Sequence, residues 1–305
     1  MKTSLIEFTT TDDLTLPGLL YEPPKNTKKI IIWLHGCGST SIFYSVERMN
    51  TLAHVFENND IAFLAFNNRG AHIAKSLYRH KGSFDEERIM MGTAYEKIND
   101  SLHDIEGAIA YAQSIGYEEI YLAGHSSGAN KICTYNTLVS NSPVLGYILV
   151  GSGDDVGIYY SILGKKGFES ARKKAKTQIE SGNGEKLVPK YMYDGIYTYQ
   201  GFYDITDPDG HYNTFPFTEY FENLNLSKTQ PLFNDFKKIT KPTLVLYGSL
   251  EEWVYKSPED AIAVMKKFSN NAKNFSYEIV NDADHGFSGK SKELGNALVS
   301  WLLKN

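Results

Sequence analysis

A chain of 305 residues with 42% apolar and 22% charged side chains has the make-up of a globular protein, large enough for one big core or two small ones. Its formal net charge of −5 argues against nucleic acid as a partner, and no apolar stretch is long enough to span a membrane. Two cysteines, Cys37 and Cys133, give no disulfide framework, and the residues after Met1 to Phe8 are too polar for a signal peptide, so a cytoplasmic location is expected.

Ser4 to Thr10 and Thr15 to Glu22 alternate as two antiparallel strands, and Pro23-Pro24 ends them. Ile30 to Leu34 is an apolar run of the buried-strand kind. It leads into His35-Gly36-Cys37-Gly38-Ser39, a glycine-rich turn that can leave backbone N–H groups unpaired. Ser45 to Asn58 sets Val46, Met49, Leu52, Ala53 and Phe56 on one helical face. Ile61 to Phe66 is a strand, followed by Asn67-Asn68-Arg69-Gly70-Ala71-His72 and a loop to about Glu96, in which Arg79-His80-Lys81 reads as solvated surface before it reads as an anion site.

Asp100 to Ile115 is helical, with Leu102, Ile105, Ala108, Ile109 and Ala112 facing inward, and Glu119 to Ala123 and Leu145 to Gly151 are strands. Thr243 to Tyr247 and Phe275 to Val280 are the last strands. Ser257-Pro258 opens a helix to Phe268, and Leu294 to Leu303 is a final helix. The alternation predicts an α/β protein with a mostly parallel sheet covered on both faces. Only the stretch from 155 to 234 breaks it, being too long for one crossover helix. That stretch begins with a basic helix, Gly164 to Glu180, and continues into a run dense in tyrosine and phenylalanine.

Between the strand at Glu119–Ala123 and a helical run from Ala129 to Val139 stands Gly124-His125-Ser126-Ser127-Gly128. A serine hydroxyl is a poor nucleophile unless it is exposed, rigid and beside a base. A sharp strand-to-helix turn supplies the first two, with small residues two positions to either side letting the backbones close up. The helix adds its positive end beside the oxyanion that forms on attack. The partners follow in order along the chain. A glycine-rich turn comes before the serine, Gly248-Ser249-Leu250-Glu251-Glu252 comes after it, and Asp284-His285-Gly286-Phe287 follows the last strand. Ser126 could instead be a plain helix N-cap, but these partners in this order disfavour that reading.

On those residues the chain resembles the alpha/beta-hydrolase superfamily over most of its length, from about Leu14 to Trp301, and within it the serine esterase and acyl-hydrolase branch. The resemblance implies the alpha/beta-hydrolase fold, with a core of 1–154 and 235–305 and a cap at 155–234 inserted after the sixth strand. It implies Ser126 as nucleophile, His285 as base, and an oxyanion hole made by the backbone N–H groups of Cys37 and Ser127. The acid falls on Glu251, three residues after the glycine ending the seventh strand, where the family usually has Asp. Glu252 and the Asp154-Asp155 pair stand as alternatives. The family's Arg-Gly turn matches Arg69-Gly70, and its arginine is structural.

The activity so implied is two-step hydrolysis of a small-to-medium carboxylic ester through an acyl-enzyme, with neither metal nor organic cofactor. Thioester, amide or peptide cleavage, acyl transfer, and ligand binding without catalysis are alternatives on the same fold. His125, Tyr199 and Tyr203 are the residues expected to line the substrate pocket, while His35, His54, His103 and His211 read as structural. The expected partners are a small-molecule ester and, in a homodimer, a second copy of the chain, with no nucleic acid and no membrane. Gly151-Ser152-Gly153 lacks the third glycine of a dinucleotide turn. The Cys37 thiol is discounted as a nucleophile.

Overall fold

The computed structural model describes residues 1–38, 40–80, 86–269 and 272–305. Ser39 of the glycine-rich turn and Lys81 of the basic triplet lie outside the described residues. In chain order the elements are β1 (Lys2–Thr9), β2 (Thr15–Glu22), β3 (Lys29–Leu34), α1 (Val46–Glu57), β4 (Ala62–Phe66), β5 (Lys75–His80), β6 (Glu86–Met91), α2 (Ser101–Ser114), β7 (Glu119–His125), α3 (Ser127–Leu138) and β8 (Gly146–Val150). Then come α4 (Asp155–Glu180), α5 (Tyr199–Ile205), α6 (Phe217–Glu222), α7 (Asn234–Lys237), β9 (Thr243–Leu250), α8 (Pro258–Phe268), β10 (Phe275–Asp284) and α9 (Ser291–Leu302).

Eight strands form one sheet in the order β1-β2-β4-β3-β7-β8-β9-β10, antiparallel for the β1–β2 and β2–β4 pairs and parallel from β4 onward. Side-chain alternation along a strand divides the core between two faces. Ile30, Ile32 and Leu34 of β3 join a cluster with residues of α2, α3 and α8. Ile31 and Trp33 join a second cluster with residues of α1 and α9. Burial on both faces is why the central strands read as unbroken apolar runs.

Three features depart from the sequence reading. The expected loop from Asn67 to Glu96 contains β5 and β6, an antiparallel pair separate from the main sheet with Leu77 opposite Ile89. Its strands are half charged, so no apolar alternation announces them. Arg79 of β5 is paired with Asp12 in the β1–β2 turn, a structural use. Second, β10 does not stop at Val280. It runs to Asp284 through a register shift, a bulge that carries the chain to His285 at the sheet's C-terminal edge.

Third, the segment between β8 and β9 is not uniform. Tyr159, Phe168, Tyr197, Tyr199, Phe202 and Tyr212 form a separate satellite core, whereas Phe215, Phe217, Phe233 and Phe236 pack into the main core with Val245 and Tyr247. By Phe215 the chain packs into the sheet's own core. Most of the segment's buried tyrosines stay in the satellite, with Phe168 and Phe202 among them. Helix α4 is itself broken at Gly164, whose φ of 64° and ψ of 162° are not helical.

The Arg-Gly turn after β4 is held by a buried ion network. Arg69, 2% exposed, donates from Nε to Asp104 Oδ1 at 2.9 Å and from Nη2 to Asp12 Oδ1 at 2.9 Å, while its backbone N–H reaches Asp104 Oδ2 at 2.7 Å. These bonds join the β4 turn to α2 and to the β1–β2 turn, the structural part expected of the arginine. Removing one member of a buried pair leaves a charge with no compensation. Arg69→Ala is expected to cost about 3–5 kcal/mol in urea unfolding. Pairing it with Asp104→Leu should recover part of that loss, because no buried charge then stands alone.

Candidate active site

Ser126 sits at the junction of β7 and α3 with φ 58° and ψ −133°, a backbone conformation that L-residues adopt only when their surroundings impose it. The surroundings do so through close approach. A Cβ on Gly124 would lie 2.3 Å from the Gly128 carbonyl oxygen, and one on Gly128 would lie 2.4 Å from the Leu34 oxygen. The Ser126 N–H donates to the Val150 carbonyl at 2.9 Å, tying the turn to the tip of β8. Although it stands at the N-cap position of α3, its side chain makes no capping bond. The hydroxyl is left free for another purpose, which a plain N-cap would not allow.

His285 follows the bulge of β10. Its Nδ1 is 2.7 Å from Glu251 Oε1, so with Nδ1 protonated the ring donates to the carboxylate and leaves Nε2 as a base. The His285 backbone N–H donates to Glu252 Oε2 at 3.0 Å. The adjacent glutamates thus divide the work, one holding the ring and the other the main chain. Gly151, next after Val150, runs beneath this pair. A Cβ there would meet Glu251 Oε2 at 3.1 Å and His285 Nδ1 at 3.2 Å. Ser126, Glu251 and His285 therefore converge on the same tip of β8.

His125 lies between Trp33 and His285. Its ring stacks on Trp33 on one side, with centroids 6.3 Å apart, and leans against the His285 ring at 4.7 Å on the other. Its Nε2 lies 2.7 Å from the His285 carbonyl oxygen, and since a carbonyl only accepts, Nε2 carries the proton. Burial, followed by the neighbouring His285, pushes the His125 imidazole down to about 3, so it stays neutral near pH 7.

The glycine-rich turn after β3 passes directly over the serine. A Cβ on Gly36 would lie 2.7 Å from Ser126 Cβ and 3.1 Å from its Oγ. His35 holds this turn, donating from Nδ1 to the Gly36 carbonyl at 2.8 Å and accepting at Nε2 from the Asn68 N–H at 3.2 Å. Burial drives its imidazole down to about 3, consistent with a neutral structural histidine. The Cys37 N–H, one of the two expected oxyanion donors, donates to Ser127 Oγ at 2.6 Å, a use the sequence did not suggest. Burial raises the Cys37 thiol to about 12, so it is no thiolate nucleophile.

The other candidates stand elsewhere. Asp154 caps α4, accepting from the Gly157 N–H at 2.7 Å and from the Thr218 N–H at 2.6 Å. Asp155 accepts from Asn130 Nδ2 at 3.1 Å. Neither of the two is bonded to His285, whose ring partner is Glu251. Tyr199 is buried in the satellite core, and Tyr203 lies under the Arg172 guanidinium 4.6 Å away. The rings that share that core with Cys37 include Tyr159 and Tyr197, which bond hydroxyl to hydroxyl at 2.6 Å. An apolar cavity of about 230 Å³ lined by Ile158, Ile162, Trp253, Val254 and Tyr255 opens beside Glu252. His54, His103 and His211 bond to Glu57, Thr11 and Asp235 respectively. Among the described residues no group of three His, Cys, Asp or Glu is placed to hold a metal ion.

Sheet order, strand–turn–helix geometry and the loops at the strand ends define an alpha/beta-hydrolase fold, and solved structures agree. Est1E of Butyrivibrio proteoclasticus with ferulic acid bound is 15% identical, with a TM-score of 0.63 over 97% of this chain and 98% of that one. The alpha/beta hydrolase GrgF of Penicillium sp. sh18 is 16% identical, with a TM-score of 0.61 over 100% and 99%. The esterase Pf2001 of Pyrococcus furiosus is 16% identical, with a TM-score of 0.57 over 99% and 92%. No curated protein matches the sequence. Residues 91–304 match the family described as "Protein of unknown function (DUF1749)", and the chain belongs to that family.

Asp155 provides a test of the buried polar layer under the site. Burial, with Asp154 beside it, raises its carboxyl to about 8. In the unfolded chain it ionises near the ordinary value of about 4. The folded state thus binds more protons across that window, and stability falls as pH rises from about 4 to about 8. Asp155→Asn, which keeps an acceptor for Asn130, is expected to raise Tm at pH 8, with the gain fading toward pH 4. Thermal unfolding of both proteins across that range checks this.

Proposed function

We propose that the protein is a serine hydrolase that cleaves small-to-medium carboxylic esters. Ser126 attacks the ester carbonyl while His285 takes its proton. Glu251 holds the imidazole by Nδ1 and stabilises the imidazolium. The alcohol leaves with the proton returned by His285, and water then attacks the acyl-enzyme with His285 again as base, releasing the acid. The observation that most supports this is the Glu251–His285 bond of 2.7 Å standing over the same β8 tip that anchors the strained, uncapped Ser126.

One of the proteins it resembles in structure is an esterase, and another, Est1E, has ferulic acid bound. In this reading the segment carrying α4 and α5 is a cap. The apolar cavity beside Glu252 and the tyrosines near Cys37 then favour an apolar or aryl group over a long charged one. Tyr199 and Tyr203 belong to the cap's own core.

A fluorophosphonate probe is expected to label wild type at Ser126. Ser126→Ala should lose labelling and lower kcat on a p-nitrophenyl ester by at least about 10³-fold, with an unchanged circular dichroism spectrum. Turnover above a few per cent in that variant would remove Ser126 from the chemistry.

The two glutamates should separate. Glu251→Gln is expected to lower kcat about 10²- to 10⁴-fold, because a neutral amide does not stabilise the imidazolium and can favour the wrong tautomer. Glu252→Gln keeps an oxygen for the His285 N–H and should stay near wild type. Steady-state kinetics of the pair decide which carboxylate serves the ring.

A further inference from the structure

A serine oxyanion site needs donors already aimed at the place where negative charge develops. One is available from the start of α3. Ser127 is the first residue of that helix, so its N–H is among those with no intrahelical acceptor. The second expected donor, the Cys37 N–H, is occupied by Ser127 Oγ at 2.6 Å, and Ser127 is 1% exposed. Freeing that N–H would mean breaking a buried hydrogen bond.

The loop is also poorly placed to swing away. His35 is bonded to the Gly36 carbonyl and to Asn68, Thr40 Oγ1 donates to the Cys37 carbonyl at 2.6 Å, and Gly36 is wedged against Ser126. The Ser127 hydroxyl, having accepted from Cys37, still has its own hydrogen to give. Among the described residues that hydrogen meets no oxygen or nitrogen acceptor. The Cys37 sulfur beside it is a weak one.

We propose that the oxyanion hole consists of the Ser127 N–H and the Ser127 hydroxyl, with the Cys37 N–H acting through that hydroxyl by donating to it. The inference rests on the esterase reading of the same site. The substrate's carbonyl oxygen replaces the weakly accepting Cys37 sulfur as the hydroxyl's acceptor. No proton is transferred; the hydroxyl only donates a hydrogen bond, made stronger because its oxygen is already accepting one. This bond strengthens as the carbonyl oxygen gains charge, so it acts on the transition state more than on the bound ester.

The test compares wild type with Ser127→Ala, Ser127→Thr and Ser127→Cys in the full chain. Each is measured for Ser126 labelling, for kcat and KM on a p-nitrophenyl ester, and for inhibition by an alkyl boronic acid that forms a tetrahedral adduct. Ser127→Ala is expected to lower kcat by about 10²-fold with KM little changed, and to weaken the boronic acid by a similar factor. Ser127→Cys, similar in size but a poor donor, should follow Ala, while Ser127→Thr should retain most of the activity. Thermal unfolding within a few degrees of wild type shows that the fold is kept.

If Ser127→Ala labels, turns over and binds the boronic acid as wild type does, or better, the freed Cys37 N–H is the donor and the inference falls alone. If wild type itself neither labels nor turns over, the esterase reading falls and the inference with it.

Discussion

Where β7 hands over to α3 the two backbones come so close that a single methyl group on Gly124 would stand 2.3 Å from the Gly128 oxygen. That constraint settles how the chain must turn. It puts Ser126 at positive φ, leaves its side chain unable to cap the helix, and aims the first turn of α3 at the space above the serine. The neighbouring turn after β3 is drawn into the same tight spot, since Gly36 lies against Ser126 and Gly128 against Leu34. Strain at one residue is thereby held by three separate segments of backbone, each secured by the hydrogen bonds of a parallel sheet.

Around that point the charges are sorted by depth. Glu251 and Glu252 are adjacent, yet one meets the ring of His285 and the other its main chain, because successive residues leaving a strand face in different directions. Deeper lie Lys131 and Glu96, 2.5 Å apart and almost wholly buried, with Asp155 and Asn130 alongside. A neutral His125 separates Trp33 from His285 and holds the latter's carbonyl. His285 is thus fixed at ring, N–H and carbonyl.

Much of this was readable in the sequence, and what was not has identifiable causes. Strong apolar runs such as Ile30 to Leu34 and the capped start at Ser257-Pro258 gave strands and helices within a residue or two of where they are. Ser126 and His285 were legible because a turn of small residues and a histidine after the last strand are local patterns. The choice among Glu251, Glu252, Asp154 and Asp155 was not, because it depends on which carboxylate a bulge in β10 brings within reach. The β5–β6 hairpin was hidden by its charges. Tyr199 and Tyr203 were named for ring density alone, which does not say whether a ring faces a ligand or its own neighbours. The Cys37–Ser127 bond joins residues 90 positions apart and has no sequence signal at all.

The convergence on the tip of β8 has a consequence for how the protein comes to exist. Ser126, Glu251 and His285 leave the ends of β7, β9 and β10, and the last of these pairs only with β9. None of their mutual positions is defined by local structure. β7 with β8 and β9 with β10 are pairings of strands that follow one another along the chain, but β8 with β9 joins strands that lie far apart, a slow kind of contact to form. A collapsed chain with most of its helices in place but β8 and β9 unpaired would still hold Ser126 apart from Glu251 and His285.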